Sequence, residues 1–427
     1  MSKQIPEFKD SKIPWIGRIP KHWEIKRISH LYLQRNQKVS DKDFEPLSVT
    51  KQGILPQLEN AAKTNDGDNR KLVKTGDFVI NSRSDRRGSC GISKFDGSVS
   101  LINIVLEPRQ NMNSKYFDWL FHTSLFADEF YKYGNGIVDD LWSTRWDNMK
   151  KISVVYPPLD EQEKIAKFLD SKCEIIDKRL ENLEQKIKSL KEYKKSLISE
   201  CVTKGLNSRI LEFKDSKIPW IGKIPKHWEV KRLKYIATKI YKGSGITKEQ
   251  VFENGDTPCV RYGEIYTKYS YSFDKCLSYT FEKVLNSTSY FGYGDILFTC
   301  TGELIEEIGK NIVYLGDKKC LAGGDIIILN HKQNPSFLNY ALDCNYARNQ
   351  KSYGKAKLKV VHISSREISN LFIVLPPLNE QKEIAEFLDK KCEKIDRLNE
   401  NYTKQITALK EYKKSLIYEC VTGKKEI

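Results

Sequence analysis

The sequence predicts an α+β fold built twice in one chain: two similar globular domains separated by a pair of long antiparallel coiled-coil helices, an internal duplication with pseudo-two-fold symmetry. Three observations lead there. Two motifs recur around unlike inserts, the inserts share one order of short apolar runs, and two long stripes keep a heptad spacing.

The first motif, EFKDSKIPWIGRIPKHWEIKR at 7–27, returns at 212–232 as EFKDSKIPWIGKIPKHWEVKR, an offset of 205. The second, PPLDEQEKIAKFLDSKCEIID at 157–177, returns at 376–396 as PPLNEQKEIAEFLDKKCEKID, and LKEYKKSLISECVT at 190–203 returns at 409–422, both at an offset of 219. The difference falls in the inserts, 28–156 and 233–375. Within them Gly76–Ile80 matches Gly294–Phe298, Leu101–Leu106 matches Ile326–Leu329, Tyr116–Phe121 matches Phe337–Leu342, and Ile152–Tyr156 matches Leu371–Leu375. These are short β-branched or aromatic strands bounded by Gly, Asn and Asp, with one or two helices between them. The expected divisions are a globular domain over 1–156, a spacer helix over 157–205, a second globular domain over 206–375 and a second spacer helix over 376–427.

Each spacer helix follows a proline pair, 157–158 or 376–377, that stops the preceding strand. Asp160 or Asn379 is placed to cap the free amides, and Glu161 and Glu163 suit the positive end of the helix dipole. The first stripe runs Ile165, Leu169, Cys173, Ile176, Leu180, Leu183, Ile187 and Leu190, then Leu197 and Cys201 beyond a break at Lys194. The second runs Ile384, Leu388, Cys392, Ile395, Tyr402, Ile406, Leu409, Leu416 and Cys420, broken at Asn399 and Lys413. Single stripes with alternating three-and-four spacing are coiled-coil seams, and each helix is the other's obvious partner. Reach sets their direction. A helix over 160–203 spans roughly 66 Å, the link 206–211 covers at most about 21 Å, and a compact domain over 212–375 is about 40 Å across. A parallel pair would need the second helix to restart near the head of the first, so an antiparallel pair is expected, with the two chain ends close together.

Composition bounds the function. Lys+Arg 72 against Asp+Glu 56 gives a net charge of +16 over 427 residues. That balance favours a polyanionic partner, yet no segment is a basic tail, so nucleic acid would have to be held by folded patches. No apolar run reaches the ~18–20 residues of a membrane span, and MSKQIPEFKD lacks the core of a signal peptide, so a soluble, cytoplasmic protein is expected. The 10 cysteines include no C-x-x-C pair, which points to buried, reduced thiols. None of the six histidines has H-E-x-x-H spacing, and no metal site is expected. His22, His227, Trp15, Trp23, Trp220 and Trp228 read as packing residues within the repeats. No phosphate-cradling loop is present, Tyr156-Pro157-Pro158-Leu159 lacks the polar and aromatic positions of an amino-methyltransferase motif, and Tyr290-Phe291-Gly292-Tyr293-Gly294 reads as a turn. A binding protein is therefore expected rather than an enzyme.

The paired motifs F-K-D-S-K-I-P-W-I-G-x-I-P-K-H-W-E and P-P-L-x-E-Q-x-x-I-A-x-F-L-D, each present twice around unlike inserts, resemble the specificity subunit of bacterial Type I restriction-modification systems. The resemblance covers essentially the whole chain. It implies that the inserts are target recognition domains, each reading one half of a bipartite site in double-stranded DNA. It implies further that two modification subunits, which methylate adenine from S-adenosylmethionine, and restriction subunits that use ATP and Mg, dock on a chain that binds no cofactor itself.

Candidate reader residues lie in polar loops between the shared strands. They are Lys51, Gln52, Ser82, Arg83, Ser84, Arg86, Arg87 and Arg145 in the first domain, and Lys242, Ser244, Arg261, Tyr262, Thr299, Thr301, Lys355 and Lys357 in the second. Arginine can bridge guanine O6 and N7, while Ser, Thr and Gln serve bases or phosphates. Arg83 and Arg261 stand out because each follows a buried-looking strand that would fix the guanidinium. Two other classes compete: a coiled-coil scaffold for proteins, which would show no salt-sensitive affinity for duplex DNA, and an enzyme of unrecognised type, which the missing motifs disfavour.

Overall fold

A computed structural model of the chain describes residues 7–58, 67–136, 142–207, 212–302, 304–355 and 361–427. It divides into two units, Met1–Glu184 with Thr403–Ile427, and Gln185–Tyr402. Each unit thus holds one copy of every repeated motif, one insert, and part of both long helices.

The two inserts share a sheet. In the first unit its order is Cys90–Ile92, Phe78–Asn81, Asn103–Pro108, Tyr32–Gln34, all antiparallel. In the second the equivalent order is Asn311–Tyr314, Ile296–Thr299, Ile326–His331, Ala237–Lys242, extended by Ser272–Phe273 in parallel with Asn311–Tyr314. Side chains alternate across a strand, so a continuous apolar run means that both faces are covered. Phe78, Ile80, Ile104 and Leu106 pack with Phe117, Leu120 and Phe121 of the helix Ser114–Phe121. Between them, Val79 and Val105 face Leu47, Ile54, Val73 and Val99 on the other side. The second unit repeats this. Ile296, Phe298, Ile327 and Leu329 join the core that contains the helix Pro335–Asp343, while Leu297, Ile312, Ile326 and Ile328 enter a separate cluster. It also carries a strand, Thr257–Val260, and a helix, Tyr262–Thr267, set beside Cys320–Ala322. That extra material builds its larger cleft.

The two repeated motifs meet at the head of each long helix. The Trp23 indole donates to Glu161 Oε2 at 2.8 Å and His22 Nε2 lies 2.7 Å from Oε1. Trp228 and His227 hold Glu380 in the same way, at 3.0 and 2.8 Å. Both indoles are buried, at 2% and 0% exposure, so each needs an acceptor. Glu161 therefore satisfies a buried donor, a role beyond the dipole complement its position suggested. The helices begin at Leu159 and Leu378, one residue before the expected caps Asp160 and Asn379. In the first, the Glu161 and Gln162 amides already donate to the Pro158 carbonyl. The adjacent glutamine is duplicated too: Gln162 accepts from the Asn113 amide and donates to the Pro157 carbonyl, as Gln381 does with Asn334 and Pro376.

Within each unit the two long helices, Leu159–Lys204 and Leu378–Val421, pair antiparallel. In the first unit Ile165, Leu169, Cys173, Ile176 and Leu180 share a core with Leu416, Cys420 and Val421, with Ile406 and Leu409 half-buried against it. Leu183 is buried as well. In the second, Ile384, Leu388 and Cys392 share a core with Ile198, Cys201 and Val202; Ile395 is buried, and Ile187 and Leu190 are half-buried. The helix face turns enough for Ile198 to take the interior position expected of Leu197, which is only partly buried. Lys194 and Lys413, breaks in the stripe, are duplicated cross-helix ion pairs. Lys194 Nζ sits 2.7 Å from both oxygens of Asp396, and Lys413 Nζ lies 2.6 and 2.7 Å from those of Asp177.

These pairs are equivalent in sequence but not in burial: the Lys194 side chain is 10% exposed and that of Lys413 25%. Asp396→Ala strips the counter-ion from the more buried ammonium and should cost about 1.5–3 kcal/mol. Asp177→Ala should cost no more than about 1 kcal/mol. Urea unfolding of the two variants reads the difference, and equal losses would refute the assignment.

The end of the second long helix is tied to the first motif. Tyr116 Oη donates to the Val421 carbonyl at 2.7 Å, and Lys424 Nζ donates to that of Ile16 at 2.7 Å. All 10 cysteines are buried and free. Trp220 departs from the packing role of its fellows, being 40% exposed beside Tyr353. Among the described residues no helix is long and apolar enough to cross a membrane.

Candidate nucleic-acid interface

In the first unit the hairpin Leu47–Thr50 and Gly53–Pro56 presents Lys51 and Gln52 at its exposed tip. Thr50 Oγ1 donates to the Gly53 carbonyl at 2.9 Å and accepts the Gln52 amide at 3.1 Å, which fixes the turn. The hairpin lies directly on the strand Cys90–Ile92: a Cβ on Gly91 would stand 2.9 Å from Gly53 Cα. Lys51 and Arg87 line one cleft of about 360 Å³ together with His122, Thr123, Lys414 and Tyr418. Burial opposes charging of His122, but hydrogen bonds with Asp118 and Cys90 outweigh it and raise its pKa to about 11. Lys51, Arg87 and Lys414 also place cationic side chains on this cleft.

A second group forms after Phe78–Asn81. The Ser84 amide donates to the Trp142 carbonyl and the Thr144 amide to that of Ser82, which brings the exposed Arg145 beside the loop. Arg83 is committed: its Nε and Nη2 donate to the two oxygens of Asp85 at 2.9 and 3.2 Å. Arg86 is exposed, 3.7 Å from the same carboxylate, and Arg87 pairs with Asp128. Ser84 opens the 3₁₀ turn Ser84–Arg86 and is half-buried.

In the second unit Lys242 is exposed at the end of its strand. Arg261 and Tyr262 stand where Thr257–Val260 passes into the helix Tyr262–Thr267. The Arg261 amide donates to Glu264 Oε2 at 2.9 Å. Burial would raise the Glu264 pKa, but Ser278, that amide and Lys268 overcome it and hold the carboxylate below its usual range. Around Arg261 and Tyr262 opens a cleft of about 700 Å³, shared with Gly245, Thr267, Gly323 and Asp325. Thr301 lies half-buried in the bridge to His362, and Lys355 donates to the His362 carbonyl at 2.7 Å and to Glu367 at 2.5 Å. Lys357 lies outside the described residues.

Three expected surface hydroxyls are not at the surface. Ser82, Ser244 and Thr299 are 5%, 5% and 0% exposed: the first two lie just past the ends of their strands, and Thr299 ends a strand that is buried along its whole length. Thr299 Oγ1 is 2.7 Å from Tyr266 Oη, which also donates to the Thr301 carbonyl at 2.7 Å. A base contact from Thr299 would require this network to open, so its place is beneath the loop. Tyr266, Asp85 and Glu264 were not anticipated. Asp85 stands two residues after Arg83, a spacing open to an ion pair, and the adjacent Gly323-Gly324 marked a close backbone approach.

The family model described as the Type I restriction modification DNA specificity domain matches the chain twice, over 20–192 and 225–408. The Type I restriction enzyme MjaVIII specificity subunit of Methanocaldococcus jannaschii is 27% identical over 426 residues, covering 95% of this chain and 94% of that protein. The MjaIX specificity subunit of the same organism is 23% identical, over 99% and 89%. Among solved structures, a chain from work on complex assembly and conformational transition of the type I R-M system aligns with TM-score 0.70 at 14% identity, covering 94% of this chain and 98% of its own. The HsdS subunit from Thermoanaerobacter tengcongensis aligns with TM-score 0.54 at 16% identity, over 95% and 98%. At these identities the two structures speak to the fold alone.

Proposed function

Because the chain belongs to the family of Type I restriction-modification specificity subunits, non-catalytic proteins that recognise DNA, we propose that each of its units reads one half of a bipartite site in double-stranded DNA. The target recognition domains would be 1–156 and 206–375, with 157–205 and 376–427 as spacer helices. The observation that carries this is the double match of the specificity domain around two inserts of one design whose loops differ. Like scaffolds with unlike loop side chains suit unlike half-sites. The reader residues proposed are the accessible members of the two loop groups, Lys51, Gln52, Arg86, Arg145, Lys242, Arg261 and Tyr262 foremost. The duplicated motifs offer two similar surfaces, which supports two modification subunits per chain. Those subunits would bring S-adenosylmethionine, the restriction subunits ATP and Mg, and the assembly would work in the cytoplasm.

Mapping methylated adenines across the genome with and without this gene tests the proposal. A two-part motif with a fixed unread gap should vanish with the gene. A methylation pattern unchanged by the deletion, in a strain whose modification subunit is active, would overturn it.

A further inference from the structure

Arg83 and Arg261 each stand just after a strand, Arg83 after one of the shared sheet and Arg261 after one outside it, and their side chains differ in commitment. The Arg83 guanidinium is forked onto Asp85. Arg261 is half-buried, forms no ion pair among the described residues, and its Nε is shielded from water without a hydrogen-bond partner. A shielded donor without a partner is unfavourable until something accepts from it. Asp325 and the buried Glu264 also line the cleft, yet neither takes the Arg261 side chain.

Glycine backbone forms part of the cleft wall, at Gly245, Gly263, Gly323 and Gly324, and Gly243 packs behind it. A Cβ on Gly243 would stand 2.0 Å from the Gly323 carbonyl oxygen, and one on Gly323 would stand 3.3 Å from Arg261 Cα. The Gly323 amide donates to the Val260 carbonyl at 2.8 Å, which braces the chain immediately before Arg261. At Gly245, by contrast, a Cβ would meet nothing within 4 Å, so this glycine keeps the cleft open. The result is a guanidinium without an ion pair among the described residues, on a fixed backbone, in a cleft whose glycines Gly245, Gly263, Gly323 and Gly324 leave room beside Tyr262, Thr267 and Asp325.

We propose that this glycine-rich cleft is the base-reading slot of the second unit and that Arg261 reads a guanine from it, whereas Arg83, held by Asp85, is not a base reader. The assignment rests on the chain acting as a DNA-reading subunit. The chemistry is the fork of two N–H donors onto guanine O6 and N7, which no other base edge offers in the same place. Lysine at this position would keep the charge and lose the fork.

The test uses the full chain assembled with its modification subunits and selects bound duplexes from a library randomised over the whole site. The wild-type complex should enrich a bipartite sequence with a guanine in one half. Arg261→Ala should lose the preference for that guanine by about ten- to a hundred-fold, and leave the other half-site intact. Arg261→Lys should keep affinity and relax the same position, and Arg83→Ala should leave every base preference unchanged. Gly245→Val, a substitution with open space around it, should weaken selection in the same half-site by about ten-fold or more while thermal unfolding stays at the wild-type temperature. If the wild-type complex enriches a bipartite site but Arg261→Ala retains every base preference, the inference falls and the DNA-reading function stands. If the wild-type complex enriches no sequence, the function itself falls.

Discussion

Trp23→Ala should destabilise the first unit by about 3–5 kcal/mol. The expectation has two parts. The indole is 2% exposed in the core formed by Ile16, Ile19, Leu169 and Val421, and the residues that follow the second long helix close over it: a Cβ on Gly423 would stand 2.9 Å from its ring. Removing it opens a cavity that these neighbours, on three separate stretches of chain, cannot jointly fill. Its Nε1 also holds Glu161 Oε2, which then loses this donor while Oε1 keeps His22. Trp23→Phe separates the two, since it keeps most of the packing and loses the donor, and should cost about 1–3 kcal/mol. Hydrogen exchange of the amides in Phe78–Asn81 and Asn103–Pro108, read against urea, measures the loss within this unit. An Ala variant no weaker than the Phe variant would show that the ring does not anchor the motif. Trp228→Ala should act alike in the second unit, where Glu380 takes the same part.

Much of this architecture was legible because duplication removes ambiguity that a single run of residues leaves. Phe78–Ile80 alone is too short to tell strand from helix. Matched with Ile296–Phe298 at the same place in a second repeat, it becomes an element of a shared sheet, and the paired registers agree. The helix seams were legible for the same reason, and the polar breaks with them, but not the partners of those breaks: Lys194 and Lys413 interrupt an apolar stripe, and only the other helix supplies Asp396 and Asp177. Glu161 shows a further limit. Its carboxylate at a helix start satisfied a local rule, and its buried indole partner lies 138 residues away. At the site, loop position was readable and side-chain commitment was not. Arg83 and Arg261 look alike in sequence, but one has a carboxylate two residues on and the other faces an open cleft. Ser82 and Thr299 fail because each stands at or just past the end of a strand whose sheet is covered on both faces, so a polar residue there is still inside.

A buried lysine gives the second unit a pH dependence of large size. Lys351, on the helix Asn345–Ser352, is 3% exposed and donates to the Gly309 carbonyl and to Asn311 Oδ1, both at 2.7 Å, with Phe298 beside it. Both acceptors are neutral. Burial lowers its pKa from 10.5 to about 7, with the Asp343 charge restoring part of the loss. The folded pKa then lies below the unfolded one, so between about pH 7 and 10.5 the unfolded chain binds more protons at this site. Stability there must rise with pH, by up to about 1.4 kcal/mol per unit; below pH 7 both states are charged and the burial cost is fully expressed. Lys310 is also lowered by burial and contributes in the same direction. Lys351→Met removes one contribution and keeps the other, so the comparison isolates it. Urea unfolding at pH 7 and pH 9, followed by exchange of the Ile296–Thr299 amides, should show wild type gaining on Lys351→Met by about 2–3 kcal/mol. Parallel pH profiles for the two proteins would mean that Lys351 is neutral in neither state over this range, and that its two carbonyl partners stabilise the ammonium more than burial opposes it.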